Sequence, residues 1–250
     1  MQIEFQTSVG RKRKNNQDTV GVYFNKKGII LAIVADGMGG HQAGDTASYL
    51  AVTGLGSVWE ETMLTQKSEI TDWLVEHIKE ENFRIFDKGS KDPDMFGMGT
   101  TIVATVIIDS EILLAHVGDS RAYLICDGEI KQLTEDHSLV NELVKSGEIT
   151  QEMANVHPKR NILLRSIGVP GDIEVDISWL TFASGDYMLL CSDGLTNMLS
   201  DEEIKRIILK PTPLNDRVNQ LIEKANEAGG MDNITALLIE FNDELWEDKT

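Results

Sequence analysis

The chain has 250 residues, with 23 Lys and Arg against 41 Asp and Glu and a formal net charge of −18. That balance excludes a protein that grips nucleic acid by neutralising its phosphates, because Lys and Arg supply most of that affinity. With 41% hydrophobic and 26% charged residues the composition is that of a folded globular protein, neither disordered nor membrane-spanning, and long enough to bury a sizeable core without staples.

In chain order, the N-terminal MQIEFQTSVG lacks the apolar run and cleavage site of a signal peptide, and no later window reaches the length of a membrane span. A cytoplasmic protein without stable membrane insertion is expected. An apolar, β-branched run over 29–35 predicts a strand, and helical periodicity follows over 45–63 and 69–87. Trp73, Leu74, Ile78 and Ile85 share one face of the second helix, whereas Gly54 and Gly56 weaken the first. Runs over 101–108, 112–117, 122–126 and 130–133 predict four strands. Asp127-Gly128 between the last two is a hairpin signal, which puts antiparallel sheet in the middle of the chain. A helix over 138–146, a strand over 188–191, helices over 201–209 and 214–228 and a strand over 234–241 complete the pattern. Cys126 and Cys191 lie far apart in apolar runs and read as buried, reduced residues. No linker or repeat divides the chain, so the expected class is α+β, with helices packed on the faces of mostly antiparallel sheets.

Aspartates recur where the predicted strands end. IVADGMGG, LLAHVGDS and MLLCSDGL run an apolar strand into Asp36, Asp119 and Asp193, and AGGMDNIT sets Asp232 just before a strand. A carboxylate beside a buried strand end is costly unless it is paired or holds a metal. Helix N-capping, worth about 1 kcal/mol, explains any one of them about as well. For four such placements together, a shared cation is the better account. All-oxygen ligation suits Mg²⁺ or Mn²⁺; zinc would favour clustered His and Cys, and no EF-hand loop for calcium is present.

Residues 1–30 carry six basic and two acidic side chains in an otherwise acidic chain. In the run Arg11, Lys12, Arg13 and Lys14 just before Asp18, the lysines read as a solvated face, while an arginine near a metal centre is the expected clamp for phosphate oxygens. His41, five residues after Asp36, is either a surface histidine or an acid able to protonate a leaving alkoxide. Metals, arginine and histidine together point to phosphate-ester hydrolysis.

The motifs GRKRKNNQD, ADGMGG, MGTT, VGDSRAY, LLCSDGL and MDNIT, in that order from about Thr7 to Phe241, resemble those of the metal-dependent Ser/Thr protein phosphatases of type 2C, in their minimal bacterial form. The resemblance implies a four-layer α-β-β-α sandwich of two packed, mostly antiparallel sheets, with a dinuclear metal centre in the cleft at one end. By the resemblance, Asp36 bridges two Mn²⁺ or Mg²⁺ ions, the Gly37 carbonyl binds one of them, and Asp193 and Asp232 bind the other. Asp18 holds the centre directly or through water, and Asp119 shares a third, weaker ion with Asp193. Arg13 binds the substrate phosphate, His41 is the general acid, and Asn233 supports metal-bound water. Ser8 stands where relatives often have Asp, and Gln17 where many have Glu.

Residues 143–170 resemble the flap subdomain beside the active site, where His157 and Arg160 read as scaffolding. Residues 1–243 read as one catalytic domain and 244–250 as a short acidic tail. The implied activity is hydrolysis of phosphoserine and phosphothreonine in proteins by direct attack of metal-activated water, in a monomer that opposes a bacterial Ser/Thr kinase. A catalytically silent phosphoprotein-binding module is an alternative, but its expected mark, a lost metal aspartate, is missing. A phosphatase dedicated to one transcriptional regulator is another, and it expects a sensory segment for which 250 residues leave no room.

Overall fold

The computed structural model describes residues 1–40 and 43–242. The chain runs β1 (Gln2–Ser8), β2 (Asp18–Phe24), β3 (Ile30–Met38), α1 (Ala43–Glu61), α2 (Lys67–Lys91), β4 (Gly99–Thr100), β5 (Ile102–Ile108), β6 (Glu111–Val117), β7 (Arg121–Cys126) and β8 (Glu129–Gln132). It continues through α3 (Leu139–Lys145), α4 (Gln151–Asn155), β9 (Asp176–Thr181), β10 (Tyr187–Cys191), α5 (Asp193–Thr196), α6 (Asp201–Ile208), α7 (Leu214–Glu227) and β11 (Ile234–Glu240). His41 and the acidic tail over 244–250 lie outside the described residues.

The strands form two antiparallel sheets, ordered β1-β11-β10-β7-β8 and β2-β3-β5-β6-β9, with β4 paired to β3. Successive side chains on a strand point to opposite faces, so a strand covered on both sides must be apolar at every position. That is why 29–35 reads as one unbroken run. Leu31, Ile33 and Ala35 of β3 pack with Val52 and Trp59 of α1 and Leu74 and Ile78 of α2, whereas Ile30, Ala32 and Val34 meet Leu190, Leu237 and Ile239 of the other sheet. In β11, Ile234, Ala236 and Leu238 turn outward to Ile204 of α6 and Leu221 of α7. Helices, sheet, sheet and helices therefore stack as the expected four-layer α+β sandwich. Each fully buried Leu or Ile contributes about 1.5–3 kcal/mol to holding the layers together.

Helical periodicity placed α1, α2, α3, α6 and α7 to within a few residues at their ends. Gly54 and Gly56 sit inside α1 because neighbours come too close for a side chain: a Cβ would lie 2.2 Å from Glu81 Oε1 of α2 at the first and 2.2 Å from the Tyr23 ring at the second. Asp127 and Gly128 adopt φ of 51° and 78°, the left-handed pair that a tight β7–β8 turn requires. Strands β1, β2 and β9, absent from the expected set, are all edge strands. Their mixed polar sequences hide the periodicity that central strands display.

Candidate metal centre

One pole of the sandwich collects the five aspartates. Asp18 opens β2 directly opposite Asp36 on β3. Asp119 lies two residues beyond β6, Asp193 opens α5 two residues after β10, and Asp232 lies two residues before β11. They act on each other electrostatically as one group. Burial, and then Asp18, Asp193, Asp119 and Asp232, push the Asp36 carboxyl well above the usual carboxylate range. Burial lifts Asp18 to about 7, against the lowering effect of its hydrogen bonds to Ser192 and Thr235 and with the help of Asp193 and Asp232. Burial followed by Asp193 and Asp136 lifts Asp119 to about 8, and burial followed by Asp232 raises Asp193.

Neighbouring residues fix the carboxylates without neutralising them. Ser192 and Thr235 hydroxyls each donate to Asp18 Oδ2 at 2.7 Å, and the Thr235 N–H donates to Ser192 Oγ at 3.0 Å. The Asp36 N–H donates to Thr101 Oγ1, and its carbonyl accepts from Thr101 N–H and Thr100 Oγ1, all at 2.9 Å. The MGTT motif thus backs Asp36, a role that the sequence reading did not assign to Thr100 or Thr101. The Gly37 N–H donates to the Gln17 carbonyl, and a Cβ at Gly37 would lie 2.0 Å from the Gly44 carbonyl oxygen. Gly10 and Gly194 press on the backbone of Asp232 and Asn233, where a Cβ would come within 2.1 and 1.9 Å of their carbonyl oxygens.

Asn233 spends its whole side-chain amide on the N-terminal loop. Its Nδ2 donates to the carbonyls of Val9 and Asn15, and its Oδ1 accepts from Gln17 N–H, at 2.8 to 2.9 Å. It therefore supports the site by fixing the loop that carries Arg13. Arg13, half exposed, donates from Nη2 to Asp232 Oδ2 at 2.7 Å. Ser8, at the first departure from the family motif, accepts from Gly10 N–H and Asn226 Nδ2, both at 3.2 Å, and so works as a turn residue.

The donor set fits a hard divalent cation. Asp18 Oδ1 and Asp193 Oδ1 are buried with no hydrogen-bond partner. A buried acceptor without a donor costs on the order of 1–3 kcal/mol, and two of them among three further carboxylates call for a cation. Carboxylates and a carbonyl, with water to complete the shell, are the ligands that Mg²⁺ and Mn²⁺ take. Next to Asp119 and Asp193 a cleft of about 510 Å³ opens between α3, α4 and the α5–α6 turn, lined also by Arg121, Asp136, Arg160 and Asn197. Arg121 is held there by a two-pronged pair with Asp136 at 2.9 and 2.7 Å.

The model of the protein phosphatase 2C family matches residues 6–238. The chain belongs to the protein phosphatase 2C family. Among its relatives, protein phosphatase PhpP of Streptococcus pneumoniae is 48% identical over 244 residues, covering 98% of this chain and 99% of that protein. The S. agalactiae serine/threonine phosphatase superposes with a TM-score of 0.94 at 46% identity, over 96% of this chain and 99% of that one. The catalytic domain of the serine/threonine protein phosphatase PstP, solved in complex with two manganese ions, superposes with a TM-score of 0.85 at 33% identity, over 97% and 98% of the two chains. This protein phosphatase 2C chain is accordingly an enzyme with a metal cofactor. No helix among the described residues is long and apolar enough to cross a membrane.

Proposed function

We propose that this phosphatase hydrolyses phosphoserine and phosphothreonine in proteins at the aspartate cluster, by direct attack of water on phosphorus. The observation that carries the site assignment is the convergence of five carboxylates, two with orphaned buried oxygens, at one pole of the sandwich. Asp36 and the Gly37 carbonyl, Asp193 and Asp232 would hold two Mn²⁺ or Mg²⁺ ions, and Asp119 with Asp193 a third, weaker one. Bound there, such ions acidify water and neutralise phosphoryl oxygens. Asp18, tied by two hydroxyls, orients the pole from β2 and keeps a carboxylate oxygen facing it.

Arg13 presents the substrate phosphate with the donors of its planar fork that Asp232 leaves over. His41, five residues after Asp36, is the general acid that protonates the departing seryl or threonyl oxygen as the P–O ester bond breaks. The products are the alcohol and inorganic phosphate, and no phosphoenzyme forms. Residues 143–170 serve as a flap over the cleft, within a single catalytic domain. The enzyme works as a cytoplasmic monomer and opposes a Ser/Thr kinase whose substrates it resets. The deciding experiment is release of phosphate from a phosphothreonine peptide as Mn²⁺ is titrated, with Asp193→Asn alongside. Turnover that persists in excess chelator, or in that variant at the parental rate, would refute the reading.

A further inference from the structure

Beside the aspartate centre a second polar cluster joins the cleft wall to the sheet. His116 on β6, His137 just before α3 and Asp176 at the start of β9 bring ligand-type atoms within 4.8 Å of one another, and the two imidazoles stack with centroids 4.7 Å apart. The hydrogen bonds of His137 disfavour a metal there. A backbone N–H only donates, so the 3.1 Å bond from Gly118 N–H makes His137 Nδ1 the acceptor and leaves the proton on Nε2, which faces Asp176 Oδ2 at 3.2 Å. Ligation through Nε2 would move that proton onto Nδ1, against the Gly118 N–H. His116 Nε2 donates to the Glu135 carbonyl at 2.9 Å, which fixes its proton there and leaves Nδ1 as its unprotonated nitrogen.

The same bonds make His137 a joint between two parts of the site. Its N–H donates to the Gly118 carbonyl at 3.0 Å while its ring accepts the Gly118 N–H, so the residue before Asp119 is gripped from both sides. Gly118 has a φ of 112° and lies against Thr101, the residue that backs Asp36. On the other side, the His137 carbonyl accepts from Leu164 N–H at 2.8 Å, and Asp176 Oδ1 accepts from Arg165 Nη1 at 2.9 Å. Leu164 and Arg165 belong to the flap segment. Ser138, the next residue, caps α3.

We propose that His137 is a positioning residue that couples the flap, through Asp176 and Arg165, to the Gly118–Asp119 turn of the metal centre. The coupling rests on the reading of Asp119 as a metal ligand. Two side chains separate its arms: Asn carries an acceptor near the place of Nδ1, and Gln a donor near the place of Nε2. His137→Asn keeps the Gly118 bond and cuts the side-chain arm to Asp176 and Arg165, leaving the main-chain bond to Leu164 in place. Amide exchange over 151–165 then quickens about two- to tenfold, KM for a phosphothreonine peptide rises with kcat little changed, and calorimetric Mn²⁺ binding stays parental. His137→Gln reverses the pattern, with the weakest Mn²⁺ binding step about tenfold weaker and flap exchange preserved.

Arg165→Met cuts the flap arm at its far end, on a side chain 40% exposed, and reproduces the His137→Asn exchange pattern even if the histidine variants fold poorly. A uniform loss of thermal stability in all three, with neither Mn²⁺ binding nor flap exchange separated, would overturn the coupling and reduce His137 to core packing. Asp119→Asn with unchanged Mn²⁺ binding would instead overturn the ligand reading of Asp119, and with it the metal arm of the proposal. The exchange data then decide the flap arm alone.

Discussion

Asp18 and Asp36 face each other across the β2–β3 pair, two carboxylates at one directly opposed register position. Like charges in that position destabilise a sheet, and Asp119, Asp193 and Asp232 add to the charge around Asp36. The hydroxyls of Ser192 and Thr235 ease the repulsion on Asp18 without cancelling it. The pole of the sandwich is therefore poorest in stability where it is richest in carboxylates, and a cation held there would enter its folding energetics as well as its chemistry.

Replacing Asp36 by Asn separates these two effects. In chelator, Asp36→Asn removes one member of the opposed pair and should raise Tm by about 0.5–4 °C, from a repulsion of about 0.2–1 kcal/mol in a chain of this size. With saturating Mn²⁺ the same variant should lose more than about 100-fold in kcat/KM, beyond the usual effect of a residue that merely supports a ligand. Thermal scans with and without Mn²⁺ check both. A variant less stable than the parent in chelator would show that Asp36 is held by pairing and not by repulsion.

The pH dependence of stability follows from the raised carboxyls. Asp18 and Asp119 titrate at about 7 and about 8 in the folded chain against 3.8 for an ordinary aspartate. Between those values the folded chain holds more protons than the unfolded one, so their contribution is full below about pH 4 and is lost as pH rises through 7 and 8. In chelator, Tm should fall steadily from pH 5 to pH 8.5. Metal binding needs the deprotonated carboxylates and releases protons, so Mn²⁺ affinity should climb over the same window and flatten the Tm profile. Scanning calorimetry across that range tests the sign; a Tm in chelator that rose with pH would contradict it.

Arg13 bridges the basic N-terminal segment and the centre through its 2.7 Å bond to Asp232. Arg13→Ala should lower kcat/KM for a phosphopeptide by about 10- to 100-fold, the value of a hydrogen bond between charged groups, mainly through KM. Arg13→Lys keeps the charge but not the planar fork, so it should recover only part of the loss. Full recovery with Lys would mean that the site needs a nearby positive charge and no fork.

Much of this aspartate cluster was legible in the sequence because its carboxylates sit where apolar strands stop. The runs ending at Asp36, Asp119 and Asp193 belong to strands buried on both faces, whose side chains leave no ambiguity about where the polar pole begins. The edge strands β1, β2 and β9 were not legible, since half-exposed strands with polar neighbours carry no continuous apolar signal. Supporting residues were hidden for another reason. Ser192, Thr235 and Thr101 are ordinary hydroxyl residues in strand-like segments, and only the antiparallel pairing of distant strands brings them onto Asp18 and Asp36. His137 is obscure in the same way, because Gly118 and Asp176 reach it from positions far apart in the chain.

Gly194 tests how closely the two halves of the centre must approach. It follows Asp193 at the start of α5, and its α-carbon lies against the Asn233 carbonyl, leaving 1.9 Å where a Cβ would sit. Asn233 is the neighbour of Asp232 and the clamp on the Arg13 loop through Val9, Asn15 and Gln17. Gly194→Ala must therefore push the Asp193 turn away from the Asp232 turn, or move the clamp. A clash with backbone cannot be relieved by a rotamer change, so the variant should lose about 1–3 kcal/mol of stability. It should also bind Mn²⁺ more weakly at the ions shared by the two turns. Calorimetric Mn²⁺ titration with thermal unfolding distinguishes the outcomes: parental metal affinity in a merely less stable protein would show that the close approach serves packing and not the spacing of Asp193 and Asp232.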